Sequence, residues 1–309
     1  NKGRVSDETR EIVMRTAKEM GYRPNAVAQS LKRRCTNTIG FYFAHQKGRI
    51  LDFRNEFIGE VLYGAQQACA EHEKHLLLHG SYGSSDMRQI ADEITNGRID
   101  GVLVFAPAND PVVQHIAQQK FPAVAVADPV RSLPSVTIDE QEAARLVVEH
   151  LKSKGHQKVF YFYNWPAHEH SAVTRRKNAF IAQAQKVGIE IEEICHRSEE
   201  SPWRPEQLID TIRECRGRFT AGLGWADATA ELLWGACDLL GVRVPQDLAI
   251  VGFDGCYGKR QPRYDLTTIR AGWDHVANCA TQMLIKQIEG EEVPGETVLS
   301  VELLQGQST

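Results

Sequence analysis

Several side chains that could bind a small polar ligand lie next to apolar runs of the sequence. Asp254 follows the run 248–253, and Trp225 and Asp227 follow a shorter run that begins at residue 221. Arg176 belongs to an arginine pair that opens a helical stretch. Carboxylates and a guanidinium form charge-assisted hydrogen bonds with hydroxyls, and aromatic rings stack on apolar ring faces. The set suits a polyhydroxylated ring, although each residue alone is also typical of a helix cap or a surface salt bridge.

The sequence lacks the patterns that mark most enzymes. Gly222-Leu223-Gly224 has no third glycine at the spacing of a phosphate-binding loop, and no nucleophile elbow occurs. His168-Glu169-His170 could contribute to a metal site, but one H-x-H without a second ligand cluster is a weak metal signal. The sequence therefore predicts no cofactor and no metal, and it argues against an enzyme.

A short basic segment, residues 24–34, precedes the part of the chain that carries these side chains. Asn25 is a candidate N-cap, and Val27, Ala28 and Leu31 share one face of the predicted helix. A helix this short is marginal alone in water, so it needs a partner helix, a nucleic acid or both. The alternative is a solvated linker, because charge runs are commonly solvated.

The charge of the chain is unevenly distributed. Residues 1–37 hold nine Lys or Arg against four Asp or Glu, whereas the whole chain has a formal net charge of -4. A basic arm on an acidic body fits a polyanion as the partner of the arm and a small ligand for the body. The seven cysteines are scattered without a C-x-x-C pair, and no export signal or membrane span is evident, so we expect a reducing cytoplasm.

From Thr38 onward, short apolar runs alternate with amphipathic stretches. This alternation predicts an α/β fold with parallel sheets covered by helices on both faces, and ligands of such sheets bind at the carboxyl ends of the strands. The predicted strands are 38–43, 75–79, 101–105, 123–127, 136–138, 159–163, 221–224, 248–253 and 298–304. The predicted helices are 55–73, 84–97, 109–119, 140–154, 173–187, 205–215, 226–240 and 273–289.

The strand and helix units that begin at Thr38 exceed a comfortable single core, so two lobes with a binding cleft between them are expected. The breaks are predicted at 128–134 and 257–266, which are rich in proline, glycine or ionisable residues. Residues 6–20 form a separate amphipathic helix that ends at Gly21. Its apolar face cannot form a domain by itself, so it is expected to pack against helices that would precede Asn1, and the lack of an initiator Met suggests that an upstream piece is missing.

Several stretches, in this order and spacing, resemble the lactose-repressor (LacI/GalR) family of bacterial transcription factors over essentially the whole chain. Each stretch is weak alone, but the set is specific. The matching residues are 3–10, 20–31, 38–40, 99–102, 149–151 with 155–156, 244–247, 251–254 and 266–269.

The resemblance implies a periplasmic-binding-protein type I fold, with two parallel-sheet lobes joined by three crossovers, behind a partial all-α headpiece and a hinge helix. Residues 1–22 would hold the third headpiece helix, and 23–37 the hinge helix and linker. The N-terminal lobe would comprise 38–136 and 269–294, and the C-terminal lobe 137–268 and 295–309.

The resemblance also implies residue roles. Leu31 would pair with its dimer mate and open a base step from the minor groove, with Lys32 beside it and Val27 packed on the partner helix. The implied DNA-binding set is Leu31, Lys32, Ala28, Val27 and Arg23. The implied effector-binding set is Arg176, Asp254, Trp203, Asp227, Phe57, Trp225, Asp128 and His170.

The sequence therefore predicts a cytoplasmic, dimeric transcriptional repressor whose operator binding is controlled by a small effector, most simply a sugar. The alternative is a sugar-binding protein of the same fold without DNA function. That alternative predicts a signal peptide and no basic arm, and the sequence has the opposite features.

Overall fold

The computed structural model describes residues 6–22, 32–33, 35–44, 55–80, 87–107, 109–163, 171–195, 205–256 and 264–309. Helix α1 (Asp7–Glu19) begins at Ser6, whose hydroxyl accepts a hydrogen bond from the backbone N–H of Thr9. None of its residues is buried, and Val13 and Met14 are more than half exposed. The helix predicted at 6–20 is confirmed.

The first lobe is built on a six-stranded sheet in which all neighbouring strands are parallel. Its strands are β1 (Thr38–Phe43), β2 (His75–Gly80), β3 (Gly101–Phe105), β4 (Ala123–Val126), β5 (Ser135–Ile138) and β11 (Glu296–Leu299), in the order β11-β5-β4-β3-β1-β2. Its helices are α2 (Glu56–Glu71), α3 (Met87–Thr95), α4 (Pro111–Gln118) and α9 (Trp273–Ile288).

The second lobe carries another six-stranded sheet, parallel except for its β10–β12 pair. Its strands are β6 (Lys158–Tyr163), β7 (Glu190–Cys195), β8 (Ala221–Gly224), β9 (Ala249–Asp254), β10 (Thr267–Arg270) and β12 (Glu302–Leu304), in the order β12-β10-β9-β8-β6-β7. Its helices are α5 (Glu140–Ser153), α6 (Ser171–Val187), α7 (Pro205–Cys215) and α8 (Asp227–Leu240).

The central strands are buried on both faces, which explains their continuous apolar runs. In β1, Phe41 and Phe43 enter one apolar cluster and Tyr42 enters another on the opposite face. In β6, Tyr161 and Phe160 divide between two clusters in the same way. Helices therefore cover both faces of each sheet, as the sequence predicts.

The chain passes between the lobes three times, from β5 to α5, from β10 to α9 and from β11 to β12. The predicted fold class, two parallel-sheet lobes with three crossovers, is confirmed. The crossing points differ from the predicted breaks. Residues 128–134 connect β4 to β5 within the first sheet, because β5 pairs with both β4 and β11. Residues 257–266 precede β10, which is still part of the second sheet.

Strand pairing also moves the predicted lobe boundaries. Residues 137–138 belong to β5 and 296–299 to β11, both in the first sheet, whereas 269–270 belong to β10 in the second. The prediction of one strand at 298–304 is wrong, because the chain leaves the first sheet after Leu299 and enters the second at Glu302. Strands β7 and β10 were absent from the predicted set.

No helix within the described ranges is long and apolar enough to cross a bilayer. Within the same ranges no group of three His, Cys, Asp or Glu side chains could hold a metal ion. The motif 168–170 lies outside the described residues.

Candidate functional site

Arg176 is a buried cation at the centre of a polar cluster in the second lobe. It lies on α6, and only 3% of the residue is exposed. Its Nε and Nη2 donate to the two carboxylate oxygens of Glu140 at 3.2 and 3.3 Å, and its Nη1 donates to the Trp225 carbonyl at 2.8 Å. Its guanidinium carbon lies 3.4 Å from the centroid of the Phe253 ring. A buried charge is tolerated when it is paired and hydrogen-bonded in this way.

Asp254 is the last residue of β9 and faces the same guanidinium. Its Oδ1 lies 3.8 Å from Nη1 of Arg176 and accepts a hydrogen bond from the Trp273 indole at 3.0 Å. Burial raises the pKa of the Asp254 carboxyl to about 7, although Arg176 and the indole N–H both act to lower it. The carboxyl is therefore poised between its two protonation states near neutral pH.

Trp273 joins the cluster to the first lobe. It is the first residue of α9, and its ring packs edge-on against Phe57 of α2 with the centroids 5.1 Å apart. Phe57 in turn contacts Phe105 at the end of β3. The Trp273–Asp254 hydrogen bond therefore runs between the lobes, from a helix of the first to a strand end of the second.

Asp227 lies deeper than the other carboxylates, at the first position of α8. Only 1% of the residue is exposed, and its Oδ1 accepts a hydrogen bond from the Thr268 hydroxyl. Burial raises the pKa of Asp227 well above its usual value and the neighbouring Asp254 adds to the increase, whereas Thr268 opposes it. The Asp227 carboxyl therefore keeps its proton to a higher pH than an exposed aspartate does.

The structure brings some of the predicted effector-binding residues together. Arg176, Asp254 and Trp225 meet directly, Asp227 lies next to Asp254, and Phe57 reaches the cluster through Trp273. Asp128 is buried two residues past the end of β4 in the first lobe.

The remaining predicted residues have no described contacts with this cluster. Lys32 is exposed. The others lie outside the described residues, namely Trp203, His170, Arg23, Val27, Ala28 and Leu31.

The sequence did not identify two members of the cluster, Glu140 and Trp273. An acidic helix start, such as residues 139–142, is ordinarily interpreted as charges that compensate the helix dipole. That interpretation fits Asp139, which caps the helix, and Glu142, which pairs with Arg145, but Glu140 points inward to Arg176. Trp273 follows Gly272, where the chain passes from the second lobe to the first. An aromatic residue at the first position of a helix was the sequence signal that could have indicated its place in the cluster.

The cluster offers groups that can form hydrogen bonds with hydroxyls. A guanidinium, a carboxylate and an indole converge at the junction of two α/β lobes. Parallel sheets bind ligands at the carboxyl ends of their strands, which is where Asp254 stands. The fold and the site thus define a two-lobed ligand-binding protein.

Residues 148–309 match the family described as a periplasmic binding protein-like domain. Catabolite control protein A of Priestia megaterium is 26% identical over 302 residues, which cover 95% of this chain and 88% of that protein. A lac repressor dimer bound to operator and the anti-inducer ONPF has a TM-score of 0.79 at 22% identity, covering 99% of this chain and 91% of its own. A complex of the transcriptional regulator CelR with cellobiose has a TM-score of 0.74 at 21% identity, covering 99% and 92%.

The chain belongs to the periplasmic binding protein-like family. The relatives that it matches over more than nine-tenths of its length are transcriptional regulators of the LacI/GalR family, the family that the sequence resembles.

Proposed function

We propose that this protein is a dimeric, cytoplasmic transcriptional repressor whose operator binding is controlled by a sugar bound at the junction of the lobes. The observation that carries the proposal is the Arg176–Asp254–Trp273 cluster, which joins charge-assisted donors and acceptors to an aromatic ring. Family membership supports the regulatory role. Cellobiose in one structural neighbour and operator DNA in another support the two ligands.

The mechanism is binding linked to a change in lobe closure. A sugar that binds Arg176 and Asp254 competes with or reinforces the hydrogen bond between Trp273 and Asp254. It thereby changes the free energy of the state in which the two lobes are closed on the ligand. Movement of the first lobes in a dimer would permit or forbid pairing of the two hinge segments, residues 24–34, on DNA. No covalent bond is made or broken in this scheme.

A thermal-shift screen of mono- and disaccharides tests the ligand class, because a compound that binds only the native state raises the melting temperature. Arg176→Lys then tests the site. Lysine keeps the positive charge but loses the planar fork of donors, so we expect sugar affinity to fall by about 1 to 3 kcal/mol. Titration calorimetry measures the change. Arg218→Lys is the matched control, because Arg218 forms an exposed ion pair with Glu192.

Leu31→Ala tests the arm independently. In a protein that carries the complete helix-turn-helix headpiece, this change should weaken operator binding by about 1 to 3 kcal/mol and leave sugar affinity unchanged. Fluorescence anisotropy of a labelled operator provides the measurement. Normal sugar binding by Arg176→Lys would refute the assigned sugar site. Unchanged operator binding by Leu31→Ala would refute the role of Leu31 in opening a base step.

A further inference from the structure

Glu140 is a buried carboxylate with no role in the scheme above. It follows the first crossover between the lobes, as the first residue of α5, and 8% of the residue is exposed. Both of its oxygens accept hydrogen bonds from Arg176, through Nε and Nη2. This bidentate geometry gives strong and directional pairing between a guanidinium and a carboxylate.

Glu140 determines which part of Arg176 is left for a ligand. A guanidinium has five N–H donors. Glu140 accepts from the Nε edge and one Nη2 hydrogen, and the Trp225 carbonyl accepts one Nη1 hydrogen. The donors that remain are on the outer ends of Nη1 and Nη2, and Asp254 lies 3.8 Å from Nη1. The oxygen of a ligand hydroxyl can accept hydrogen bonds from these donors, and the same hydroxyl can donate a hydrogen bond to the Asp254 carboxylate.

Glu140 also neutralises the cation. Within the described part of the chain, the groups that shift the pKa of Arg176 are Glu140, Asp254 and Tyr161, with Asp227 beyond Asp254. None of these groups is a cation, and the neighbouring Arg175, whose Nε and Nη2 are buried without a hydrogen-bond partner, is not among them. A phosphate or carboxylate on a ligand would therefore meet an arginine whose counter-ion is already in place, in a buried setting where like charges repel strongly.

We propose that Glu140 is a specificity-determining residue that makes the site select uncharged polyhydroxylated ligands over their phosphorylated or carboxylated forms. This inference rests on the proposed function, since it concerns the ligand of the same site. Glu140 acts on the ligand through Arg176, by occupying one edge of the guanidinium and cancelling its charge.

The test uses matched pairs of neutral and anionic probes. These are glucose with glucose 6-phosphate and gluconate, ribose with ribose 5-phosphate, and cellobiose with cellobionate, with affinities measured by calorimetry at pH 8. For the neutral probe that binds wild-type protein, we expect its anionic form to bind at least about tenfold more weakly. Glu140→Gln keeps the size and one acceptor but removes the charge, so it should tighten the binding of the anionic probe. The ratio of neutral-probe affinity to anionic-probe affinity should then fall at least about fivefold.

Two further variants separate selectivity from structural damage. Glu142 lies on the same helix and pairs with Arg145 on the surface. Glu142→Gln removes that charge, and the ratio of neutral-probe to anionic-probe affinity should stay unchanged. Glu140→Asp keeps the charge, so it should keep the preference for neutral probes even if both affinities fall. A general loss of packing would weaken both members of a pair and leave their ratio unaltered.

The outcomes distinguish this inference from the proposed function. If wild-type protein binds an anionic probe as tightly as its neutral partner, or if Glu140→Gln leaves the ratio unchanged, the role of Glu140 is refuted while the sugar site stands. If no probe of either kind binds, the proposed function fails and this inference fails with it.

Discussion

Asp254 has a backbone conformation that residues other than glycine rarely adopt, with φ of +118°. Such conformations cost free energy and persist where the surroundings fix them, often at ligand sites. The next residue, Gly255, also has a positive φ, and a Cβ there would lie 2.6 Å from the Cα of Arg270. The strand end is thus held tightly against β10, which aims the Asp254 carboxyl at Arg176 and Trp273.

The raised pKa of Asp254 predicts a pH dependence of stability. Its pKa is about 7 in the folded protein against about 3.9 for an unfolded Asp, so between these values the native state holds a proton that the unfolded state releases. This contribution is complete below about pH 4 and is lost as the pH rises to about 7. Asp254→Asn should therefore reduce the decline of unfolding free energy over this window, by at most about 1.4 kcal/mol per pH unit.

Urea unfolding at pH 5, 6 and 7 measures the slope for both proteins. Asp227, whose pKa shifts in the same direction, keeps part of the decline in the variant. Asp210→Asn is the control, because that carboxylate is exposed and pairs with Arg213 on α7. An Asp254→Asn slope equal to that of wild type would show that Asp254 is ionised throughout the window.

The site could be predicted from the sequence only where a residue follows a recognisable strand or matches a family motif. Asp254 and Trp225 follow apolar strands, and Arg176 matches a family position. Glu140 could not be distinguished from the surface acids Asp139 and Glu142, because the choice of which side chain turns inward depends on the packing of α5 against α6.

At the scale of elements, α2 and α9 pack closely against each other in the first lobe, at Gly64. A Cβ at Gly64 would lie well inside contact distance of the Asp274 backbone carbonyl. Backbone atoms cannot move aside as a flexible side chain can, so the two helices would have to separate. The small residue is therefore required for the contact through which α9 is held to the first lobe.

Gly64→Ala should destabilise the protein by more than about 3 kcal/mol, despite the better helix propensity of alanine. Gly59 is on the same helix with nothing within 4 Å of its Cβ position, so Gly59→Ala should be neutral or stabilise by up to about 1 kcal/mol. Urea unfolding at one fixed protein concentration compares the two. Equal effects of both substitutions would refute the close α2–α9 contact.

The helices were predicted nearly to their ends, but strand β7 was missed for a physical reason. It is an edge strand with the sequence EIEEIC, so it lacks the apolar run of a buried strand. Its Glu190, Glu192 and Glu193 pair with Lys158, Arg218 and Lys177. Charged side chains are a common protection of sheet edges against pairing with another chain, so the polar pattern that hides β7 in the sequence is part of how it is tolerated.

At the scale of the whole molecule, the α/β alternation predicted two sheets but not where the chain passes between them. Crossing points are decided by pairing between distant strands, such as β11 with β5 across more than 150 residues of sequence. Local composition carries little of this information, so the proline-rich segment 128–134 was a plausible but incorrect boundary. The correct crossings place Glu140, Asp254 and Trp273 within the same cluster.

This arrangement predicts that Trp273 couples the two ligands of the proposed repressor. If a sugar changes operator affinity by some factor, operator must change sugar affinity by the same factor, because the two bindings are linked free energies. Trp273→Phe keeps an aromatic ring against Phe57 but removes the N–H that reaches Asp254 across the lobes. The coupling factor should fall toward one, by about 0.5 to 2 kcal/mol of coupling free energy, and it should remain equal in both directions.

Anisotropy of labelled operator with and without saturating sugar, together with calorimetry of sugar with and without operator, measures both values. Trp234→Phe, which alters a ring stacked on Tyr264 within the second lobe, should leave the factor unchanged. An unaltered factor in Trp273→Phe would mean that the bond between Asp254 and Trp273 does not carry the signal.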